Sequence, residues 1–336
     1  MTQSAIVRWT EPKVILVATN LLEDQAFMLY AVYQTALSRA KVILVHVIPP
    51  FYLRSEAVYG TPSVQPNVVV RNARAKLDEL AAKFRWEGID CEPIILNGLP
   101  EEQIPLIVKS RIVDRIIIAS RAASGVERLI GGSVAESLIS SVEIPVCTIG
   151  RYMRPALACA TQPERILLAT SLQPGSPMLV SFASRLAELH YSHLTLIHVV
   201  ESVGMTEQER ELARFKARQR LSRMIPKEAR YWYRPVLLLP EGDAKTVIPD
   251  VAGSTTQDLV ILGGSFPSLF SWILGTGVVH RVIAEAKCPV ITIKSPARSA
   301  AENPFLGDAT DTGKAHAHSI GRTEETISGR RSETRL

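Results

Sequence analysis

Gly131, Gly132 and Ser133 open an apolar stretch that begins at Val134, and Arg121 and Arg128 precede them within the same segment, ASRAASGVERLIGGSVAES. Glycines let the backbone approach an anion, a serine hydroxyl can donate to it, and the first turn of a helix presents free N–H groups. Together with a guanidinium these residues can cradle a phosphate. The same residues can also make a plain turn with Ser133 capping the helix, and at this point both readings stand. His46 and His198 each end an apolar run at the same place. With no nucleophile or carboxylate paired to them in the sequence, they read as packed, hydrogen-bonded residues and not as catalytic bases. Cys91, Cys147, Cys159 and Cys288 show no metal-like spacing and read as buried free thiols of a reducing compartment. His316 and His318 lie in a polar stretch and justify adventitious metal binding only.

The elements that must position these groups alternate between short apolar runs and helical stripes. Val14–Ala18, Val42–Val47, Pro93–Leu96, Arg115–Ala119 and Val146–Ile149 read as strands, the first two being continuous runs typical of strands covered on both faces. Helices are expected over Leu22–Arg39, Arg71–Trp86, Glu101–Ser110 and Val134–Val142, and the proline-rich stretch Pro49–Asn67 reads as a loop. In Arg71–Trp86 the stripe is Ala73, Leu77, Leu80, Ala81 and Phe84.

The same order then recurs. ILVATN at Ile15 returns as ILLATS at Ile166, and VILVHV at Val42 returns as LTLIHV at Leu194. Gly242 lies 144 residues after Gly98, Pro289 lies 144 after Pro145, and His198 lies 152 after His46. A period near 150 is the size of a whole domain, so the chain carries two tandem copies with one loop shortened in the second. The second set of strands is Arg165–Ala169, Leu194–Val199, Val236–Leu239, Leu259–Leu262 and Val290–Ile293. Thr206 with Glu209 forms a capping-box start for a helix carrying Arg210, Arg214, Lys216, Arg218, Arg220 and Arg223. That basic run reads as a solvated face, because no aromatic residues or nucleic-acid motif accompany it. The expected division is residues 1–150, a linker 151–163, residues 164–294, and a disordered tail 295–336 without apolar periodicity.

Composition sets the outer bounds. The chain has 336 residues, 46% hydrophobic and 21% charged, enough for two cores, and its net charge of +5 is too diffuse to mark a nucleic-acid binder. No apolar stretch approaches a membrane span and no signal peptide is evident, so a cytoplasmic protein with neither membrane nor nucleic-acid partner is expected.

The strand ending in ATN, the strand ending in HV, the segment Gly98–Ile104, the fourth strand with its loop, and the GSVAES helix before IPV resemble the universal stress protein family, over about residues 12–150 and again 163–294. The resemblance implies an α/β fold of two tandem Rossmann-like domains (adenine nucleotide alpha hydrolase-like). Each would be a five-stranded parallel sheet in the order 3-2-1-4-5 flanked by helices, and the two would pair through their last strands within one chain. It also implies a non-enzymatic stress-response protein. ATP-binding members carry an Asp after the first strand and a loop of Gly, two residues, Gly, nine residues, then Gly and Ser or Thr.

On this chain those positions fall at Asn20, Ala119, Ala122, Gly132 and Ser133, followed by Val134. The spacing and final pair are kept, while the acid and first two glycines are replaced. The adenine side would be Ala18, Thr19 and Val47, with Arg121 adding charge and Gly98 either approaching the ligand or making a turn. ATP or another adenine nucleotide, bound weakly in the first copy and bringing any Mg with it, is the implied ligand; no metal site of the protein's own is expected. The second copy has Ser171 for the acid, keeps Gly263, places Phe266 at the second glycine and inverts the last pair to Thr276 and Gly277. It reads as structural or regulatory, with the apolar Leu269, Phe270, Trp272 and Ile273 covering the sheet or meeting a protein partner. A homodimer, a ligand-free interaction scaffold, and an enzyme acting on adenine nucleotides stay open as alternatives.

Overall fold

The structure is a computed structural model that describes residues 3–22, 25–50, 66–120, 134–160, 162–232, 234–254, 256–264 and 277–294. Arg121, Ala122, Arg128, Gly131, Gly132, Ser133, Phe266, Leu269, Phe270, Trp272, Ile273, Thr276, most of the proline-rich loop and the tail from 295 lie outside the described residues.

Both copies contribute to one ten-stranded sheet. The first supplies β1 (Val14–Ala18), β2 (Lys41–Ile48), β3 (Cys91–Asn97), β4 (Arg115–Ser120) and β5 (Val146–Gly150). The second supplies β6 (Arg165–Ala169), β7 (His193–Ile197), β8 (Val236–Leu238), β9 (Leu259–Gly264) and β10 (Val290–Lys294). The order across the sheet is β3-β2-β1-β4-β5-β10-β9-β6-β7-β8, so each half reads 3-2-1-4-5 and the halves join through their last strands. Neighbours are parallel within each half, and β5 and β10 are antiparallel. In that seam Val146 faces Thr292, Cys147 faces Ile291 and Thr148 faces Val290. Shifting each residue by the repeat interval maps this set of pairs onto itself, so a local two-fold axis passes through the Cys147 and Ile291 pair.

The inner strands are buried nearly throughout, as their unbroken apolar runs demand, whereas the edge strands β3 and β8 are half-covered. Pro93, which has no N–H to give, sits in edge strand β3. Helices α2 (Gln25–Ser38), α3 (Pro66–Trp86), α4 (Pro100–Ser110) and α5 (Val134–Ser141) follow in the first half. α3 buries the five residues of the stripe read from the sequence and begins earlier than expected, because a proline is at home in a first helical turn. α2 is apolar almost all round, for it lies between the sheet and a 3-10 helix, Pro155–Cys159, within the linker. The second half contains α6 (Ser176–His190), α7 (Glu207–Met224), α8 (Lys227–Trp232), α9 (Ala244–Gly253) and α10 (Val278–Glu285). Among the described residues no helix is long and apolar enough to cross a membrane.

Helices α1 (Gln3–Thr10) and α8 and the 3-10 helix of the linker were not anticipated. α1 precedes β1 and packs on α6 of the other half. Arg185 of α6 donates to Thr10 at 3.2 Å and pairs with Glu11 at 2.5 Å. The seam is further tied by His280 Nδ1 to Glu136 at 2.6 Å and by Lys294 Nζ donating to Ser140 O at 2.7 Å. One contiguous core runs through both halves.

A pair of aspartates organises the amino ends of the strands. Asp114, just before β4, accepts the N–H groups of Lys13 and Val14 at 2.8 and 3.1 Å and is paired with Arg8. Asp258, the same position of the second half, accepts those of Glu164 and Arg165 at 3.1 and 3.0 Å and is paired with Arg154 at 2.7 Å. Each carboxylate thereby satisfies the donors at the mouth of a first strand from the start of a fourth.

The thiols correct one expectation. Cys91, Cys147 and Cys288 are buried, but Cys159, at the end of the linker's 3-10 helix, is exposed because that helix turns only Leu157 and Ala158 inward. Burial pushes the Cys91, Cys147 and Cys288 thiols up to about 12, 11 and 12. Only thiolates react with disulfide reagents. Ellman's reagent at pH 8 is therefore expected to titrate Cys159 quickly and the other three only on unfolding; fast release of a second equivalent from the native chain would contradict this.

Candidate functional site

The strand order reverses beside β1, whose neighbours β2 and β4 are reached by connections leaving in opposite directions, and ligands of open parallel sheets bind at such a point, beyond the carboxyl ends. Ala18 pairs with Val45 on one side and Ile118 on the other, so Thr19 and Asn20 emerge between the ends of β2 and β4. Thr19 N–H still donates to Val45 O at 2.9 Å, and Ala119 is the next residue along β4. Val47 is buried near the end of β2, opposite Leu96 of β3. Val134 begins α5. The expected residues Ala18, Thr19, Asn20, Val47, Gly98 and Ala119 thus fall along one carboxyl edge; Arg121, Ala122, Gly132 and Ser133 are outside the described residues.

Local hydrogen bonds show what holds this edge. Thr19 Oγ1 accepts Leu21 N–H at 2.9 Å and Asn20 Oδ1 accepts Leu22 N–H at 2.8 Å, turning the chain away from the sheet while Leu21 takes a φ of 66°. Asn20 therefore shapes the turn with its oxygen. His46 Nδ1 donates to Thr19 O at 2.9 Å, and His198 Nδ1 donates to Thr170 O at 2.9 Å. A carbonyl can only accept, so both rings carry their proton on Nδ1 and act as braces between adjacent strand ends. Gly98 has a φ of 136° and Gly242 one of 135°, and their N–H groups donate to Ile48 O and Val200 O. The backbone conformation alone calls for glycine at both positions.

In the second half the equivalent edge borders a cavity of about 520 Å³. Ala169, Thr170, Ser171, His198, Leu262 and Val278 are among its walls, and Glu201 is the single charged side chain among its described lining residues. The volume is ample for a small ligand. Among its described lining residues a polyphosphate would meet one carboxylate and no cation. Gly263 proves structural: a Cβ there would lie 2.0 Å from Leu179 Cδ1, so the glycine admits α6 against β9.

The basic helix α7 starts with the expected capping box, Glu209 N–H donating to Thr206 Oγ1 at 3.4 Å and Thr206 N–H to Glu209 Oε2 at 2.8 Å. Arg210 and Arg214 pair with Glu241, and Arg220 donates to Leu172 O at 3.0 Å. Several of its cations are thus spent within the chain. Sequence reasoning missed Asp114 and Asp258, although an acid recurring before each fourth strand at the repeat interval was a usable signal. Among the described residues no cluster of His, Cys, Asp and Glu is placed to hold a metal ion.

A doubly wound α/β arrangement repeated edge to edge, the strand order of each half reversing beside its first strand, defines the class of protein. The chain belongs to the universal stress protein family, whose model matches residues 12–149 and 163–294. It is similar to a universal stress protein of Methanocaldococcus jannaschii, 26% identical over 129 residues that cover 34% of this chain and 80% of that protein. Among solved structures it is similar to a universal stress protein from Archaeoglobus fulgidus, with a TM-score of 0.63 at 18% identity over 85% of this chain and 97% of that one. A functionally unknown protein from Pseudomonas aeruginosa gives a TM-score of 0.58 at 17% identity, covering 86% and 95%. These two share the fold along nearly their whole length.

Proposed function

We propose that this chain is a non-enzymatic stress-response protein whose first half holds an adenine nucleotide, ATP or a relative, while the second half supports it structurally. What carries the reading is the asymmetry between two otherwise matched carboxyl edges. The first half follows β4 with a segment containing Arg121, Arg128 and the Gly132 and Ser133 pair, whereas residues 265–276 contain no charged residue. The second cavity's described lining offers one carboxylate and no cation. Ala18, Thr19 and Val47 would take the adenine side, Asn20 the ribose, and Ala119, Arg121 and Ala122 with Gly132, Ser133 and Val134 the phosphates. Steady ATP turnover is not expected, because the sequence pairs no nucleophile or carboxylate with His46.

Asn20 stands where a carboxylate would accept ribose hydroxyl bonds. A hydrogen bond to a charged acceptor is worth enough to predict that Asn20→Asp tightens ATP binding about tenfold. Calorimetric titration of the full chain and this variant checks it. Equal affinities would remove Asn20 from the ribose, and absence of binding in both would favour the interaction-scaffold alternative.

A further inference from the structure

At the opposite edge of the sheet, where the halves meet, a small cavity of about 30 Å³ is lined by Tyr30, Gln34, Arg115 and His190 and, across from them, by Asp258 and Leu259. Arg115 is only 6% exposed. Its guanidinium donates once, through Nη2 to Trp9 O at 2.5 Å, and its Nε has no hydrogen-bond partner. The neighbouring acids are committed elsewhere: Asp114 to Arg8 and two backbone N–H groups, Asp258 to Arg154 and two more, Glu11 to Arg185. Asp114 lies near enough to raise the Arg115 pKa, but among the described residues no carboxylate hydrogen-bonds its guanidinium. Gln34 and His190 reach the cavity from the two different halves, and among the described residues neither side chain has a hydrogen-bond partner.

Buried charges are paired, and an unneutralised guanidinium in a low-dielectric site is costly. Burial lowers the pKa of Arg115 even though Asp114 raises it, and burial followed by the charge of Arg115 lowers that of His190. The space admits one or two water-sized bodies, which excludes phosphate or a carboxylic acid. We propose that this cavity binds a monatomic anion of the halide class, held by Arg115, His190 and Gln34 and bridging the two halves. The anion supplies a counter-charge in direct contact with the guanidinium, and because it touches both halves it ties their packing to halide concentration.

The test uses the full chain. Melting in sodium chloride is compared with sodium gluconate at equal ionic strength, and crystals soaked in bromide are examined for anomalous scattering. The site predicts a bromide peak within hydrogen-bonding distance of Arg115 and a melting temperature about 3 °C higher in chloride. Arg115→Met should abolish the chloride increment, and His190→Ala, farther from the core, should reduce it. Where Arg115→Met fails to fold, the bromide map of the unaltered chain decides. Water alone in the cavity, equal melting in the two salts, or a bromide peak without chloride-dependent stabilisation, an adventitious ion only, would each overturn the proposal.

Discussion

Asp114→Ala is expected to destabilise the folded chain by about 4 kcal/mol, and Asp258→Ala by somewhat less. The Asp114 carboxylate is 3% exposed, and its loss strands the N–H groups of Lys13 and Val14 together with the Arg8 guanidinium. Asp258 has the same partners in kind but is 11% exposed, so water can replace part of what is lost. Chemical denaturation measures both. Asp114→Asn keeps the shape and one acceptor and should recover part of the difference. If the alanine variants unfold at the midpoint of the parent, the aspartates do not organise the strand mouths.

Val290→Asp should be the other severe change, costing about 4 kcal/mol near neutral pH. Val290 is 1% exposed and lies between Thr148 of the first half and Val260 of its own, so a carboxylate there enters the seam itself. Burial raises the pKa of such a group in the folded state above its unfolded value. Its protonated form is therefore favoured by folding, and the damage grows as pH rises above the ordinary carboxylate range. Val290→Asn, which cannot ionise, should be destabilised without that pH dependence. Denaturation curves of the two variants at pH 4 and pH 8 make the comparison, and identical pH profiles would place position 290 in contact with water.

His190 gives a weaker linkage of its own. Its folded pKa is lowered by burial and then by Arg115. The neutral ring is preferred in the folded state, so stability present above the ordinary histidine pKa is lost as pH falls through the lowered one. Proton NMR of the His190 ring in halide-free buffer detects the shift directly, and a titration there at or above the ordinary histidine value would contradict it.

The sequence made the interior of each half legible for a physical reason: a strand covered on both faces must be apolar at every position, as Ile15–Ala18 and Ile166–Ala169 are. The α3 stripe was readable because one face of a long helix meets the sheet. Equally readable were the matched histidines and the capping box at Thr206, whose partners are near neighbours in the chain or across a strand. What escaped notice depends on contacts between distant residues. α1 is a short helix held by Arg8 to Asp114 and by α6, and nothing within Gln3–Thr10 announces those partners. The linker's 3-10 helix is similar, being stabilised by α2. Gly263 was read as a loop landmark, whereas only coordinates reveal Leu179 lying where its side chain would be. Of the candidate site, the residues at strand ends were legible from the repeat, because the ends of parallel strands lie side by side. The different chemistry of the second cavity rests on Glu201, Met205 and Ala213, which only the fold brings to one wall.

Stoichiometry by calorimetry with ATP tests most directly which half holds nucleotide. One ATP per chain is expected, lost on substituting Gly132 and Ser133 together by bulky apolar residues and retained when Ala244→Trp fills the second cavity. Two nucleotides per chain, or binding that survives the first change and disappears with the second, would contradict this expectation.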